Sequence, residues 1–149
     1  MMQLCMRYTK NEYDATEVLN NAFLKVFRNI DKYEPAQAGL YTWIRIIVIH
    51  SCIDFIKQKA KIKNHELEDA NEVQINADVI EKMDALQLLH LVRKLPPATQ
   101  AVFNLYVMEG YNHKEIAMLM NISEGTSKWH LSEARKKLQQ MILLQEVKL

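Results

Sequence analysis

The sequence predicts an all-α protein of two small helical domains, and three observations carry that expectation. Apolar residues recur at helical spacing in several long stretches, as in Ala15, Val18, Ala22 and Val26. Only three Gly and three Pro occur in 149 residues, which leaves little material for hairpins. The third is an acidic run between two basic lobes: residues 1–64 hold ten Lys or Arg against six Asp or Glu, residues 65–92 hold one against seven, and the remainder eight against five. The domains are accordingly expected over 1–64 and 79–149, joined by an acidic linker over 65–78, HELEDANEVQINAD. A coil of that length spans roughly 20 Å.

The N-terminal lobe reads as two long helices and the tail of another. Asp14 and Glu17 form an acidic first turn, after which Ala15, Val18, Leu19, Ala22, Phe23, Val26, Phe27 and Ile30 recur with helical period. The polar side of this helix carries Asn20, Asn21, Lys25, Arg28 and Asn29. Asn is a poor helix former, so its use there points to contact with a partner, against the plainer reading of a solvated face. DKYEPAQAG over 31–39 is a connector. The segment WIRIIVI over 43–49 is rich in β-branched residues, but it sits in a long stretch without a turn signal, which favours a buried helix over a strand. That helix opens with Leu40, Tyr41, Thr42 and Trp43 and turns basic at Lys57, Lys59, Lys61 and Lys63. Rings for stacking beside cations for phosphate suit single-stranded nucleic acid, while the alternative places Tyr41 and Trp43 in the core.

In the C-terminal lobe, residues 79–94 form a lead helix with Val79, Met83, Leu86, Leu89 and Val92 on one side, and Pro97 opens the next helix at its first position. The most informative segment is YNHKEIAMLMNISEGTSKWHLSEARKKL, over 111–138. Asn112 and Glu115 make a capping box, so a helix starts near His113. Asn121 tolerates the left-handed conformation that ends it, Ile122 plugs the turn, and Ser123 caps the second helix of the motif. In that second helix Leu131, Ala134 and Leu138 face inward, as does Ser127, which is placed to bond a backbone carbonyl. Gly125, Trp129, Ser132 and Lys136 face outward, flanked by Thr126, Lys128, His130, Arg135 and Lys137. This is a helix-turn-helix with a basic, hydroxyl-bearing strip, which suits a DNA major groove; the bland alternative is an ordinary amphipathic surface helix.

Other chemistry has little support. Cys5 and Cys52 show neither pairing nor metal spacing and read as reduced, buried thiols of a cytosolic protein. The five His residues lack metal spacing, and there is no phosphate loop or nucleophile motif, so neither an enzyme nor a cofactor is expected. No signal peptide or membrane span is apparent. A stand-alone helix-turn-helix regulator remains a second reading, although the N-terminal lobe lacks the alternating strands and helices of a receiver domain.

Three segments together resemble the sigma-70 family of bacterial RNA polymerase sigma factors, in its small two-domain extracytoplasmic-function group. DATEVLNNAFLKVFRNIDKYEP (14–35) and TWIRIIVIHSCID (42–54) are similar to the family's region 2, and LPPATQAVFNLYVMEGYNHKEIAMLMNISEGTSKWHLSEARKKL (95–138) is similar to its region 4. The resemblance implies a protein that binds core RNA polymerase, captures the melted minus-ten strand with its first domain and reads the minus-thirty-five duplex with its second. It also implies an anti-sigma factor as partner.

Carried onto this chain, the resemblance places Asn20, Asn21, Lys25 and Arg28 against polymerase and Tyr33, Gly39, Leu40, Tyr41, Trp43 and His50 near the minus-ten strand. Lys114, Ser123, Thr126, Lys128, Trp129, His130, Ser132, Arg135 and Lys136 fall on or beside the duplex-reading surface. The chain departs from the family pattern in several places. Asn20 and Asn21 replace Gln and an acidic residue, Ile46 stands where Arg is frequent, His50 where Asn is, Ser127 where Val is, and Trp129 where a small polar residue is usual. Family members also carry further helix ahead of the part similar to MMQLCMRYTKNEYDA, so the first helix is expected to be shortened.

Overall fold

The computed structural model describes residues 1–59 and 85–146, and within them every regular element is a helix. The chain divides into two compact units, the first running from Met1 to Lys59. The expected linker over 65–78 lies outside the described residues, as do Val79 and Met83.

In the first unit α1 spans Met2–Tyr8, α2 spans Glu12–Arg28, a single 3-10 turn covers Ile30–Lys32, and α3 spans Leu40–Lys59. The start of α2 lies ahead of the expected acidic turn: Asn11 is its cap, accepting the Asp14 backbone N–H at 2.8 Å, so the first-turn acids are Glu12 and Asp14. A carboxylate there faces the positive end of the helix dipole. The buried stripe of α2 is Ala15, Val18, Ala22 and Val26. Two of these are alanines, which lets α3 approach closely with Val48, Ile49, Cys52, Ile53 and Ile56, while α1 adds Leu4, Cys5 and Tyr8.

Phe27 and Ile30 do not join this core. Phe27 is 73% exposed and Ile30 is 50% exposed. At 100° per residue Phe27 lies roughly 135° from the centre of the buried stripe, so its place in an apolar run puts it on the outer face. Ile30 follows the end of α2, in the 3-10 turn, where the helical period no longer applies.

In the second unit α4 spans Ala85–Val92 and α5 spans Pro97–Phe103, with Pro97 at its first turn as expected. A π-helical turn over Asn104–Met108 continues α5, followed by α6 over His113–Met120 and α7 over Glu124–Glu146. Gly110, at φ 77, makes the reversal between the π turn and α6, and it lets the Tyr111 N–H reach the Leu105 carbonyl at 2.9 Å. The long α7 packs against α4, α5 and α6. Leu91, Leu95, Val102, Leu105, Ile116, Met120, Leu131, Ala134, Leu138 and Ile142 form the core. The lead helix buries Leu91 and Val92 and leaves Leu86 72% exposed, against the expected stripe. Leu86 lies on the far side of the helix from the Leu91–Val92 edge that faces the core.

No described helix is long and apolar enough to cross a membrane.

The outward placement of Phe27 has a measurable consequence in urea denaturation. Phe27→Ala should leave stability within about 0.5 kcal/mol of the parent, as a surface change does. Ile53→Ala, which empties part of the α2–α3 contact, should cost about 2–5 kcal/mol.

Candidate nucleic-acid and partner interfaces

The helix-turn-helix is assembled by short-range polar contacts that the sequence encodes. At the start of α6, Asn112 Oδ1 accepts the Glu115 N–H at 2.9 Å, and Glu115 Oε2 accepts the Asn112 N–H at 2.8 Å. The helix ends at Asn121 in the left-handed conformation, φ 56 and ψ 50. Ile122 is buried in the turn and donates its N–H to the Ala117 carbonyl at 3.0 Å. Ser123 Oγ accepts the Thr126 N–H at 3.0 Å and so caps α7. The turn is thus three residues long, Asn121 to Ser123.

Tertiary packing redraws the expected outer strip of α7. Thr126 is 0% exposed, with Oγ1 at 2.8 Å from Ser123 Oγ, and belongs to the cap. His130 is 5% exposed, and its Nδ1 stands 3.0 Å from Thr99 Oγ1 on α5. Ser132 is also buried. None of the three has a side chain positioned to meet DNA. The physical reason is that α5 and α6 both cover α7, which widens its buried arc from the Leu131–Ala134–Leu138 strip to roughly 140° through Thr126 and His130. Lys114, Ser123 and Lys128 remain exposed, and Trp129, Arg135 and Lys136 are half-buried. Trp129 lies edge-on to His130, with ring centroids 4.9 Å apart. Lys137 pairs with Glu133 one turn back at 3.1 Å.

His113 holds this motif together in a way that local pattern did not indicate. Its Nδ1 stands 2.9 Å from Ser127 Oγ, and its ring stacks on Tyr106 with centroids 4.7 Å apart. Ser127 therefore faces inward as expected, but its partner is a side chain of the preceding helix and not a backbone carbonyl. Burial lowers the His113 pKa, assisted by the positive charge of Lys128.

In the first unit, the connector and the start of α3 gather the second patch. The Trp43 N–H bonds the Gly39 carbonyl at 3.0 Å and closes the first turn. Leu40 and Tyr41 are exposed, Tyr41 by 68%, whereas Trp43 is half-buried and its ring lies 5.4 Å from that of Tyr33. Trp43 and His50 are seven residues apart and share one helix face. His50 is on the surface, and partial burial of its ring lowers its pKa.

The third patch lies on α2. Asn20, Asn21, Lys25 and Arg28 are all exposed, and Leu24 and Phe27 present apolar surface among them. Lys25 Nζ pairs with Asp54 Oδ2 of α3 at 3.1 Å, and Lys59 Nζ pairs with Asp14 Oδ1 at 2.9 Å. Beside this face is a cleft of about 250 Å³ between α2 and α3, lined by Asn21, Lys25, Arg28, Ser51 and Asp54 among others. Leu24 and Phe27 were legible only as hydrophobic residues; which side of the helix they occupy depends on where α3 packs.

Among the described residues no cluster of His, Cys, Asp or Glu could hold a metal ion.

Comparison with known proteins respects the same division. The family model described as Sigma-70 region 2 matches residues 1–62, and Sigma-70, region 4 matches residues 85–138. The chain is 28% identical over 153 residues to the ECF RNA polymerase sigma factor SigW of Bacillus subtilis, covering 94% of this chain and 81% of that protein. It is 26% identical over 146 residues to the ECF RNA polymerase sigma factor SigE of Mycolicibacterium smegmatis, covering 91% of this chain but spanning only 54% of that relative's length. The sigma factor RpoE of Bartonella quintana, solved in complex with the anti-sigma factor NepR, shares the fold at a TM-score of 0.59 and 15% identity, over 95% of this chain and 88% of that one.

The pH response of His113 can be given a sign. Its folded pKa lies below its ordinary value, so between the two pH values the unfolded chain binds the extra proton. Its contribution to stability is fully present above about pH 6.5 and is lost as pH falls through the folded pKa. The His113 ring proton resonance should titrate with a midpoint below 6.5, and His113→Gln should flatten the acid-side loss of melting temperature; a midpoint above 6.5 would contradict the packing described.

Proposed function

The chain belongs to the sigma-70 family, in its extracytoplasmic-function group, and from that membership we propose that it binds core RNA polymerase and directs promoter recognition at transcription initiation. The observation that carries this reading is the pairing of a helix-turn-helix in one unit with an aromatic-edged connector and a mixed apolar and amide face in the other. A stand-alone regulator needs only the first of these.

The division of labour follows from exposure and charge. Lys114, Lys128, Arg135 and Lys136 supply cations for duplex phosphates, and Ser123 and Trp129 lie beside them for contacts to sugar or base. In the first unit Tyr41 and Leu40 offer the exposed stacking surface for an unpaired strand. Trp43, braced by Tyr33, and His50 extend the same side of α3, and Gly39 keeps the helix entrance free of a side chain. Asn20, Asn21, Lys25 and Arg28 frame Leu24 and Phe27 as the polymerase-docking face, where apolar anchors supply most of the binding energy and the polar rim sets register.

The protein does no covalent chemistry in this reading and needs no cofactor. It acts in the cytoplasm, where polymerase and promoter DNA are. An anti-sigma factor is its regulatory partner, an assignment supported by the fold shared with a sigma factor crystallised with one.

Size exclusion with sigma-free core polymerase tests the proposal. The chain should co-migrate with the enzyme and support promoter-dependent transcripts, and Phe27→Glu should weaken co-migration while leaving the helical circular-dichroism signal intact. If the chain grips duplex DNA but never joins polymerase, the stand-alone regulator takes its place. On a promoter duplex, Lys128→Ala should weaken binding across sequences and reduce the slope of log affinity against log salt by about one. Tyr41→Ala should cost about 1–3 kcal/mol of affinity for the unpaired strand and leave duplex binding unchanged.

A further inference from the structure

Cys5 and Cys52 are the chain's two cysteines, and the fold brings them together from α1 and α3 across 47 positions. Both are fully buried, and the Cys52 thiol donates a hydrogen bond to Cys5. We propose that this pair is an oxidisable dithiol, closed to an intramolecular disulfide by a hydroperoxide, and that closure weakens the polymerase-docking face of α2 and α3.

Geometry and chemistry both favour closure over inert packing. Burial alone raises a thiol's pKa, yet the hydrogen bond from Cys52 draws that of Cys5 below its ordinary value, which favours the nucleophilic thiolate. Access is through α1, which has only seven residues and no side-chain cap at its start. So short a helix opens locally at low cost.

On opening, the Cys5 thiolate attacks an oxygen of the hydroperoxide and the O–O bond breaks. Cys5 becomes a sulfenic acid, and the departing oxygen takes a proton and leaves as water or alcohol. Cys52 then attacks the Cys5 sulfur, the S–O bond breaks, and the sulfenic oxygen leaves as water with the Cys52 proton. In sum two thiols lose two electrons and two hydrogens, and the peroxide accepts them.

The structural consequence reaches the docking face because of where Cys52 stands. A disulfide holds its sulfurs about 2.05 Å apart, inside the reach of any thiol hydrogen bond, so closure draws α1 and α3 together. The neighbouring residue Ser51 lines the α2–α3 cleft, and Asp54, which holds Lys25 at 3.1 Å, is two residues further on. Moving this part of α3 shifts one wall of the face that carries Asn21, Lys25 and Arg28. This second half of the proposal rests on the polymerase-docking reading given above.

The test uses the full chain treated with hydrogen peroxide, then a maleimide, and examined by intact mass and peptide mapping. The expected product is a monomer that has lost two hydrogens, takes up no maleimide, and yields a Cys5–Cys52 peptide cleaved by dithiothreitol. Cys52→Ser should trap a dimedone-reactive sulfenic acid at Cys5, whereas Cys5→Ser should not form the bridge. Oxidised chain should bind core polymerase about tenfold more weakly than reduced chain. Dithiothreitol should restore binding, which separates the disulfide from methionine sulfoxide, since dithiothreitol leaves the latter in place.

Two maleimide-reactive thiols after peroxide, or a bridge only between chains, would overturn the proposal. A formed bridge with unchanged polymerase affinity would overturn its docking half. If reduced chain also fails to bind polymerase, the promoter-specificity reading falls while the mass result still decides the dithiol.

Discussion

Two-sided burial of α7 governs what the second unit can present to a partner. A helix covered on one side leaves more than half its circumference in water; α7 is covered by α5 and α6, with α4 added at the edge. The hydroxyl and imidazole groups of Thr126, Ser127 and His130 are thereby drawn into the interior, where each polar atom needs a partner in a low-dielectric setting. Ser123, His113 and Thr99 supply such partners, and in doing so they fix the angle between the two helices of the motif. The cations are left outside because Lys and Arg are too costly to bury unpaired. The recognition surface is therefore what packing leaves over: a strip of charge with few hydroxyls, better suited to phosphate contact than the linear pattern of the helix implies.

The first unit obeys the same constraint with different materials. Ala15 and Ala22 bring α3 close to α2, and closeness turns every larger residue outside that stripe outward. Phe27, Leu24 and Tyr13 are exposed for this reason, and they make the outer side of α2 unusually apolar for a surface in water. Asn20 and Asn21 interrupt it with groups that hydrogen-bond without adding charge. Ion pairs at both ends, Lys25 to Asp54 and Lys59 to Asp14, hold the two helices in register without occupying the face itself. At surface exposure such pairs contribute only modestly to stability, so their main effect is on orientation.

The two units also differ in how their polar interior groups are used. In the second unit, buried imidazoles bridge helices, and at His113 the cost of desolvation appears as a lowered pKa. In the first, the corresponding interior position is taken by a thiol pair, which packs like a small apolar residue while reduced and becomes a covalent tie when oxidised.

Features set by residues near one another in the chain were readable from the sequence alone. The helical class, the capping box at Asn112 and Glu115, the left-handed Asn121, the Ser123 cap and the start of a helix at Pro97 all depend on contacts within four residues, and a linear pattern contains those contacts entire. The order of the three sigma-like segments was legible for the same reason. What the tertiary structure decided is which side of each helix is inside. Phe27 and Leu86 belong to apolar runs yet lie outward, and Thr126, His130 and Ser132 belong to a polar strip yet lie inward, because a helix may be covered on one side or two and its own sequence does not specify its neighbours. The same holds for Cys5 with Cys52, His113 with Ser127, and Thr99 with His130. Each pair joins residues that no local period relates, and only the packing of separate helices places them within reach.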